Sequence, residues 1–366
     1  MEIVSKVIER TIEIQQIPAP TFNEQQRADF IHKAFIHEGL SAVEIDKIGN
    51  VYACLPGKSS SKSLVVSAHT DTVFPLETDL TIKRDSNRIF GPGIGDNSLG
   101  VAGLFGLIWE LDHRGINLPG DLWLVANVGE EGLGDLVGMK EIVARFGMSP
   151  IGYVVLEGLG FGRLYNRGLG VRRYKISVET PGGHSWVDFG TPSAIHELSG
   201  TINQILDLRL PARKRTTVNV GKICGGVSVN TIAPFAYLEL DLRSENNRAL
   251  ASLDRKVRDL IRFAERPGVH FEIEVIGNRP FGEIPVDHPL VQVGIKALSA
   301  QGCSADLLIG STDANVPLSM GIPSICIGLA NGGGAHTIDE YMELELLPKG
   351  LSHLVDVVVG AFELEA

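Results

Sequence analysis

The chain has 366 residues, more than one compact core usually accommodates, so two domains are expected. Hydrophobic residues make up 44% and charged residues 21%, the composition of an ordinary soluble globular protein. The formal net charge of -11 argues against a nucleic-acid backbone as partner, which usually meets a basic surface, but not against small anionic substrates held by a local cation.

Ile3, Val4, Val7, Ile8 and Ile12 recur at helical spacing, so the chain opens on an amphipathic helix that ends before Ile17-Pro18-Ala19-Pro20. The start Met1-Glu2-Ile3-Val4-Ser5-Lys6 lacks the basic opening and unbroken apolar stretch of a signal peptide, and no segment approaches the ~20 apolar residues of a membrane span. A cytoplasmic protein with no membrane partner is expected. Thr21 precedes Glu24 in the spacing of a capping box, which predicts a second helix ending near Gly39. Leu64 to Ala68 reads as a buried strand, followed by a helix from about Leu99 to Gly115. A strand at Leu122 to Val128, a helix after Asp135 and a strand at Tyr153 to Leu156 come next. Alternating buried strands and helices imply an α/β layer with a largely parallel sheet.

The pattern changes near Gly170. A half-exposed strand over Arg172–Thr180 precedes a helix over Ala194–Leu208 and strands at Val218–Ile223 and Ala236–Leu242. A helix over Arg248–Glu265 and a strand over Val269–Ile276 complete a β-α-β-β-α-β order, the ferredoxin-like α+β unit. The α/β pattern resumes with Pro289–Ala300, Ile325–Gly328 and a closing helix after Pro348. The expected organisation is a catalytic domain over 1–169 and 281–366, interrupted by an inserted domain over 170–280. Cys54, Cys224, Cys303 and Cys326 are scattered without a CxxC pair, so reduced, mostly buried thiols are expected.

Chemistry-bearing residues gather at strand ends, where sites of open α/β sheets form. Ala68-His69-Thr70-Asp71-Thr72 offers a metal-ligating imidazole and a carboxylate able to orient it, although a polar turn would look the same. Gly91-Pro92-Gly93-Ile94-Gly95-Asp96-Asn97 lets the backbone turn tightly and bring a carboxylate inward. It lacks the full spacing of a dinucleotide fingerprint, and alone Asp96 reads as a loop or capping residue. Asn127-Val128-Gly129-Glu130-Glu131-Gly132 places two repelling carboxylates after a strand, one suited to ligate a cation and the other to act as general base; a solvated acidic turn is the bland alternative. Glu157 ends a third buried strand, and Gly332-Gly333-Gly334-Ala335-His336 presents a histidine on a glycine-rich loop. Two imidazoles and three carboxylates suit zinc, with manganese or cobalt as alternatives.

The ordered set resembles the co-catalytic zinc peptidase family that includes carboxypeptidase G, aminoacylase, acetylornithine deacetylase, succinyl-diaminopimelate desuccinylase and peptidase T. The resemblance runs from Pro18-Ala19-Pro20 and Asn23-Glu24 to His336. It implies two divalent metal ions, with Asp96 bridging, His69 and Glu157 completing one site, and Glu131 and His336 the other. Glu130 is then the general base and Asp71 orients His69. Gly182-Gly183-His184-Ser185 matches the segment whose histidine reaches across a dimer interface to polarise the scissile carbonyl, which makes the inserted domain a lid and dimerisation domain. Asn230 and Arg243 match positions that hold a substrate carboxylate, and the Gly333 and Gly334 backbone could join them. Without the resemblance His184, Asn230 and Arg243 read as a surface turn, a turn and a solvated strand end.

Asp96-Asn97-Ser98-Leu99-Gly100 departs from the Met-Lys-Gly that follows this aspartate in many members, which weakens a placement in the desuccinylase branch but keeps the ligand. The resemblance also implies a cis Asp96–Asn97 peptide, and Ser311-Thr312-Asp313-Ala314-Asn315 is similar to peptidase T-like relatives and either lines the cleft or caps a helix. The expected activity is hydrolysis of an amide bond in a small peptide. An N-acyl amino acid deacylase or carbamoylase would use the same ligands. A non-catalytic metal-binding regulator would not require Glu130, and a nicotinamide-dependent oxidoreductase lacks a nucleotide signature.

Overall fold

The computed structural model describes residues 2–364. The chain divides into two compact units, one formed by the segments up to Gly168 and from Gly282 onwards, the other by Leu169–Phe281.

In the first unit the apolar run predicted at Leu64–Ala68 lies within a longer strand, Ser59–His69, whose residues from Leu64 to His69 are all buried. A strand covered on both faces has no reason to alternate polar and apolar residues, which is why it reads as continuous. It pairs in parallel with Gly120–Asn127 on one side and Tyr153–Leu159 on the other, and Tyr153–Leu159 pairs in parallel with Ser324–Ala330. Ser41–Ile45 and Val51–Leu55 extend one side of this sheet antiparallel. Arg163–Gly168 extends the other, antiparallel to Ser324–Ala330 and parallel to Asp306–Gly310, with Gly282–Glu283 at its far edge. The result is the mixed, largely parallel sheet expected from the strand and helix alternation.

Helices Glu2–Gln15, Gly100–His113, Leu347–Glu363 and Pro289–Ala300 pack side by side in that order as one layer. Gly100–His113 is buried over most of its circumference, from Gly100 to Ile108 without a break, because it is sandwiched within that layer against the sheet. Among the described residues no helix is long and apolar enough to cross a membrane.

The second unit has the predicted β-α-β-β-α-β order. Its four strands, Gly170–Glu179, Thr216–Gly225, Phe235–Ser244 and His270–Arg279, form one antiparallel sheet in which Gly170–Glu179 and Phe235–Ser244 are central. Helices Ala194–Leu206 and Asn247–Ala264 touch each other and the two central strands, so they share one face. Alternation is clean in Phe235–Ser244, where Ala236, Leu238, Leu240 and Leu242 are buried.

Two local readings are corrected. The helix at Gln25–His37 begins as predicted, but Glu24 gives it no side-chain cap and Thr21 is committed elsewhere, so there is no capping box. Of the four thiols, Cys54 and Cys326 are buried while Cys303 is partly exposed and Cys224 exposed, because Cys224 lies on an edge strand of the second sheet.

His353, on the closing helix, is fully buried with its Nε2 3.4 Å from the Gly294 carbonyl and its Nδ1 without a partner. Burial drives its pKa down to about 4, against the weaker pull of that carbonyl. The unfolded chain therefore binds a proton that the folded chain refuses between pH 6.5 and about 4, and stability is lost as pH falls through that window. The difference is on the order of 3 kcal/mol at its lower end. His353→Leu should flatten the fall of the thermal midpoint between pH 6.5 and 4; a slope equal to that of the wild type would rule out a neutral buried imidazole.

Candidate metal centre

Register brings the first ligands together. Ser67 lies beside Val155 and Ala68 beside Ala126, so His69 and Glu157, each two residues past the Ser67–Val155 pair, end neighbouring strands at one level. His69 also pairs with Asn127, and the chain leaving Asn127 carries Glu130 and Glu131. Asp96 arrives on the loop before Gly100–His113, inside an irregular turn over Ile94–Leu99. The Asp96–Asn97 peptide is cis, as the resemblance implied. His336 stands on a hairpin between the short strands Gly332–Gly333 and Tyr341–Glu343.

The five side chains converge with Asp96 in the middle. His69 Nε2 lies 3.2 Å from Asp96 Oδ1 and 3.6 Å from Glu157 Oε2. His336 Nε2 lies 3.2 Å from Asp96 Oδ2 and 3.0 Å from Glu131 Oε1. Each oxygen of Asp96 thus faces a different imidazole, and each imidazole has a different second carboxylate beside it. Donor atoms of His69, Asp96 and Glu131 also lie within 4.8 Å of one another. Two donors about 2.0–2.1 Å from a zinc ion at tetrahedral angles are roughly 3.4 Å apart, so this donor set and its spacing fit a divalent ion on either side of Asp96.

The ionisation of the cluster carries the same information. Burial would lower His69, but hydrogen bonds with Asp71, Asp96 and Glu157 hold its pKa well above the ordinary value. His336 is raised to about 10 by Asp96 and Glu131. Asp96, despite burial, is pulled far down by the two imidazoles, whereas burial pushes Glu157 up to about 7. Without metal, protons on the imidazoles supply the positive charge that three close carboxylates require.

Buried polar groups hold the ligands from behind. Asp71 lies 3.4 Å through Oδ1 from His69 Nδ1, and the same Oδ1 accepts from the Glu130 N–H at 3.0 Å. Its Oδ2 accepts from the Glu131 N–H and from Thr21 Oγ1, both at 2.9 Å. Asp71 therefore positions both members of the Glu130-Glu131 pair as well as His69. Glu24 accepts from the Gly129 N–H at 3.2 Å, and the buried Arg27 donates to the Thr70 carbonyl at 2.7 Å. Asn97 brackets Glu157: its Nδ2 donates to the Leu156 carbonyl and its Oδ1 accepts from the Gly158 N–H, each at 2.8 Å. Gly158 has to be glycine, since a Cβ there would sit 2.0 Å from the Gly95 carbonyl oxygen. Asp313 is buried and accepts from Asn127 Nδ2 at 2.7 Å, two residues before the helix Asn315–Ser319, whose N-cap position is Ala314.

Of these, Thr21 and Glu24 carried a local signal that pointed to a helix cap, while Arg27 and Asn97 carried none of their own. Gly333 pairs with Tyr341 and Gly334 turns the hairpin at φ 70°, so both shape the His336 loop. His184, Asn230 and Arg243 belong to the second unit. His184 pairs with Thr231 across a short two-stranded ladder, Asn230 accepts from the Ser185 N–H through its carbonyl, and the Arg243 Nε–H is committed to Asp241 at 2.7 Å.

Comparison with known proteins places these features. A model of peptidase family M20/M25/M40 matches residues 65–359. Succinyl-diaminopimelate desuccinylase of Corynebacterium glutamicum is 25% identical, over 94% of this chain and 94% of its own. The aminopeptidase PepT of Bacillus cereus has the same fold at a TM-score of 0.80 and 22% identity, covering 98% of each chain. A dinuclear metal binding peptidase of the M20 family from Bacillus subtilis superposes at a TM-score of 0.72 and 16% identity, covering 99% of each.

Because ligation needs neutral imidazoles, metal uptake must expel the protons on His69 and His336. Zinc added to metal-free protein at pH 7 in weak buffer should release roughly two protons per chain, and affinity should fall about tenfold per pH unit for each imidazole that must deprotonate. A pH indicator and chelator competition measure both; uptake without proton release would contradict the charge state of the metal-free cluster.

Proposed function

Since the chain belongs to peptidase family M20/M25/M40, we propose that it is a two-metal hydrolase, with zinc as the expected ion, that cleaves an amide bond of a small peptide. The observation that carries this reading is the two-sided environment of Asp96, with His69 at one oxygen and His336 at the other, and with Glu157 beside the first imidazole and Glu131 beside the second. The bound ions would supply Lewis-acid activation of water and of the scissile carbonyl.

The chain's own groups supply the rest. Glu130, next to ligand Glu131 and fixed through its N–H to Asp71, takes the proton of the attacking water and returns it to the leaving amine. Asp71 holds His69 by its Nδ1 side, leaving Nε2 for ligation. His184 polarises the carbonyl oxygen, and Arg243 and Asn230 receive a substrate carboxylate. A homodimer formed through the second unit is part of the same reading. It is supported by an apolar surface beside His184, where Trp186 is 85% and Phe189 88% exposed alongside Val187, Val227 and Val229. Apolar groups so exposed are the usual mark of an interface.

A second reading, removal of an acyl group from an N-acyl amino acid, is favoured by the desuccinylase similarity over nearly the whole of both chains. Assay of di- and tripeptides beside N-acyl amino acids separates the two.

Glu130→Ala should lower kcat by about 10²–10⁴-fold while both metal equivalents stay bound. A variant of near-normal rate would remove Glu130 from the chemistry. If His184 serves the partner's site, mixing Glu130→Ala with His184→Ala, each inactive alone, should restore about a quarter of wild-type activity through mixed dimers. Absence of any recovery after subunit exchange would confine His184 to its own subunit.

A further inference from the structure

Glu340 lies four residues beyond His336 and is completely buried. Its Oε1 accepts from the N–H groups of Gly95 and Asp96, both at 2.7 Å, and its Oε2 accepts from the Gly93 N–H at 3.0 Å. Its backbone carbonyl accepts from the Gly91 N–H at 2.8 Å, and its N–H donates to the Thr337 carbonyl at 3.2 Å. Tyr341 and Met342 then pair with Phe90 and Ile89. One residue therefore ties the loop that carries Asp96 to the hairpin that carries His336.

The loop Gly91-Pro92-Gly93-Ile94-Gly95-Asp96 is built for this. Gly93 sits in the left-handed region at φ 70°, which turns neighbouring N–H groups toward one point. Converging N–H groups make an anion-binding concavity, and here the anion comes from the chain itself. Three donors aimed at two oxygens need an acceptor with no hydrogens. A glutamine offers one oxygen and turns an NH₂ toward donors, and an aspartate is one methylene too short for the same reach.

We propose that Glu340 is a positioning residue for metal binding: it aims the two oxygens of Asp96 at the two halves of the site and fixes His336 against them. This rests on the two-metal reading above. Loss of a purely structural tie would cost the metal-free protein stability alone; loss of a metal-positioning group costs affinity.

The test is zinc binding by metal-free protein, followed by competition with a chromophoric chelator, together with thermal midpoints with and without zinc. Glu340→Gln should bind at least one zinc equivalent about 10–100-fold more weakly than wild type. Its metal-free midpoint should fall by no more than the hydrogen bond the amide forfeits, and activity should recover in excess zinc. Glu340→Asp should fall between the two. Wild-type affinity for both equivalents in Glu340→Gln overturns the proposal, as does a lowered metal-free midpoint with unchanged affinity. Should Glu340→Gln not fold, wild-type affinity in Glu340→Asp overturns it. Failure of the wild type itself to bind two equivalents would instead sink the two-metal reading.

Discussion

Mutual repulsion among the Asp96, Glu131 and Glu157 carboxylates is the constraint around which the first unit is arranged. They approach two imidazoles at 3.0–3.6 Å at the margin of an apolar core, where charges are weakly screened. Such a cluster persists only with positive charge inside it, supplied by protons on His69 and His336 or by divalent ions. Its surroundings lean the same way. Asp71 is desolvated, yet His69 and the N–H groups of Glu131 and Glu130 hold its carboxyl below the usual range. Arg27, wholly buried, has its pKa brought down to about 10 by desolvation and stays a cation at neutral pH near Asp71 and Glu24.

The sheet solves the geometric half of the problem. Parallel strands at a fixed register bring His69, Asn127 and Glu157 to one edge, and side chains two residues apart share a face. Strand ends can supply ligands from one side only. Of the remaining three, Glu131 follows the strand end at Asn127 by four residues, while Asp96 before a helix and His336 on a hairpin come from separate loops, and loops need anchoring that strands do not. Asn97 anchors the Asp96 loop to the Glu157 strand end, and the short ladder of Tyr341–Glu343 with Arg88–Phe90 anchors the hairpin to it.

What could be read from the sequence follows the same division. His69, Glu130, Glu131 and Glu157 were legible because an apolar run that stops at a polar residue marks a buried strand and its exit together. Asp96 and His336 were legible through their glycines and the ordered pattern as a whole. The anchoring was not. Glu340 accepts from groups 244–247 positions away, and nothing near it in the chain demands a carboxylate. Thr21 and Glu24 showed the opposite failure. Their spacing satisfied a local rule, but Asp71 and the Gly129 N–H, both distant in sequence, took those side chains. The antiparallel strands at the margins of the main sheet, Ser41–Ile45 and Arg163–Gly168 among them, escaped because they are short and half-buried, so their apolar periodicity is weak.

Three buried polar groups link the five clustered side chains in pairs. Asp71 joins His69 to Glu131, Asn97 joins Asp96 to Glu157, and Glu340 joins Asp96 to the His336 hairpin. The last two pairs overlap at Asp96 and the first meets it through His69, whose Nε2 lies 3.2 Å from Asp96 Oδ1, so displacement of one of these side chains is transmitted to the others. Effects of substitutions within this network cannot be independent, because each single change already loosens the partner of the next. Asp71 grips the acidic pair 130–131 by its backbone, so the two side chains can differ in role, and it is Glu131 that faces His336. On the two-metal reading proposed above, Glu131 serves as ligand and Glu130 as proton carrier, two adjacent glutamates whose peptide groups are both held by one buried aspartate.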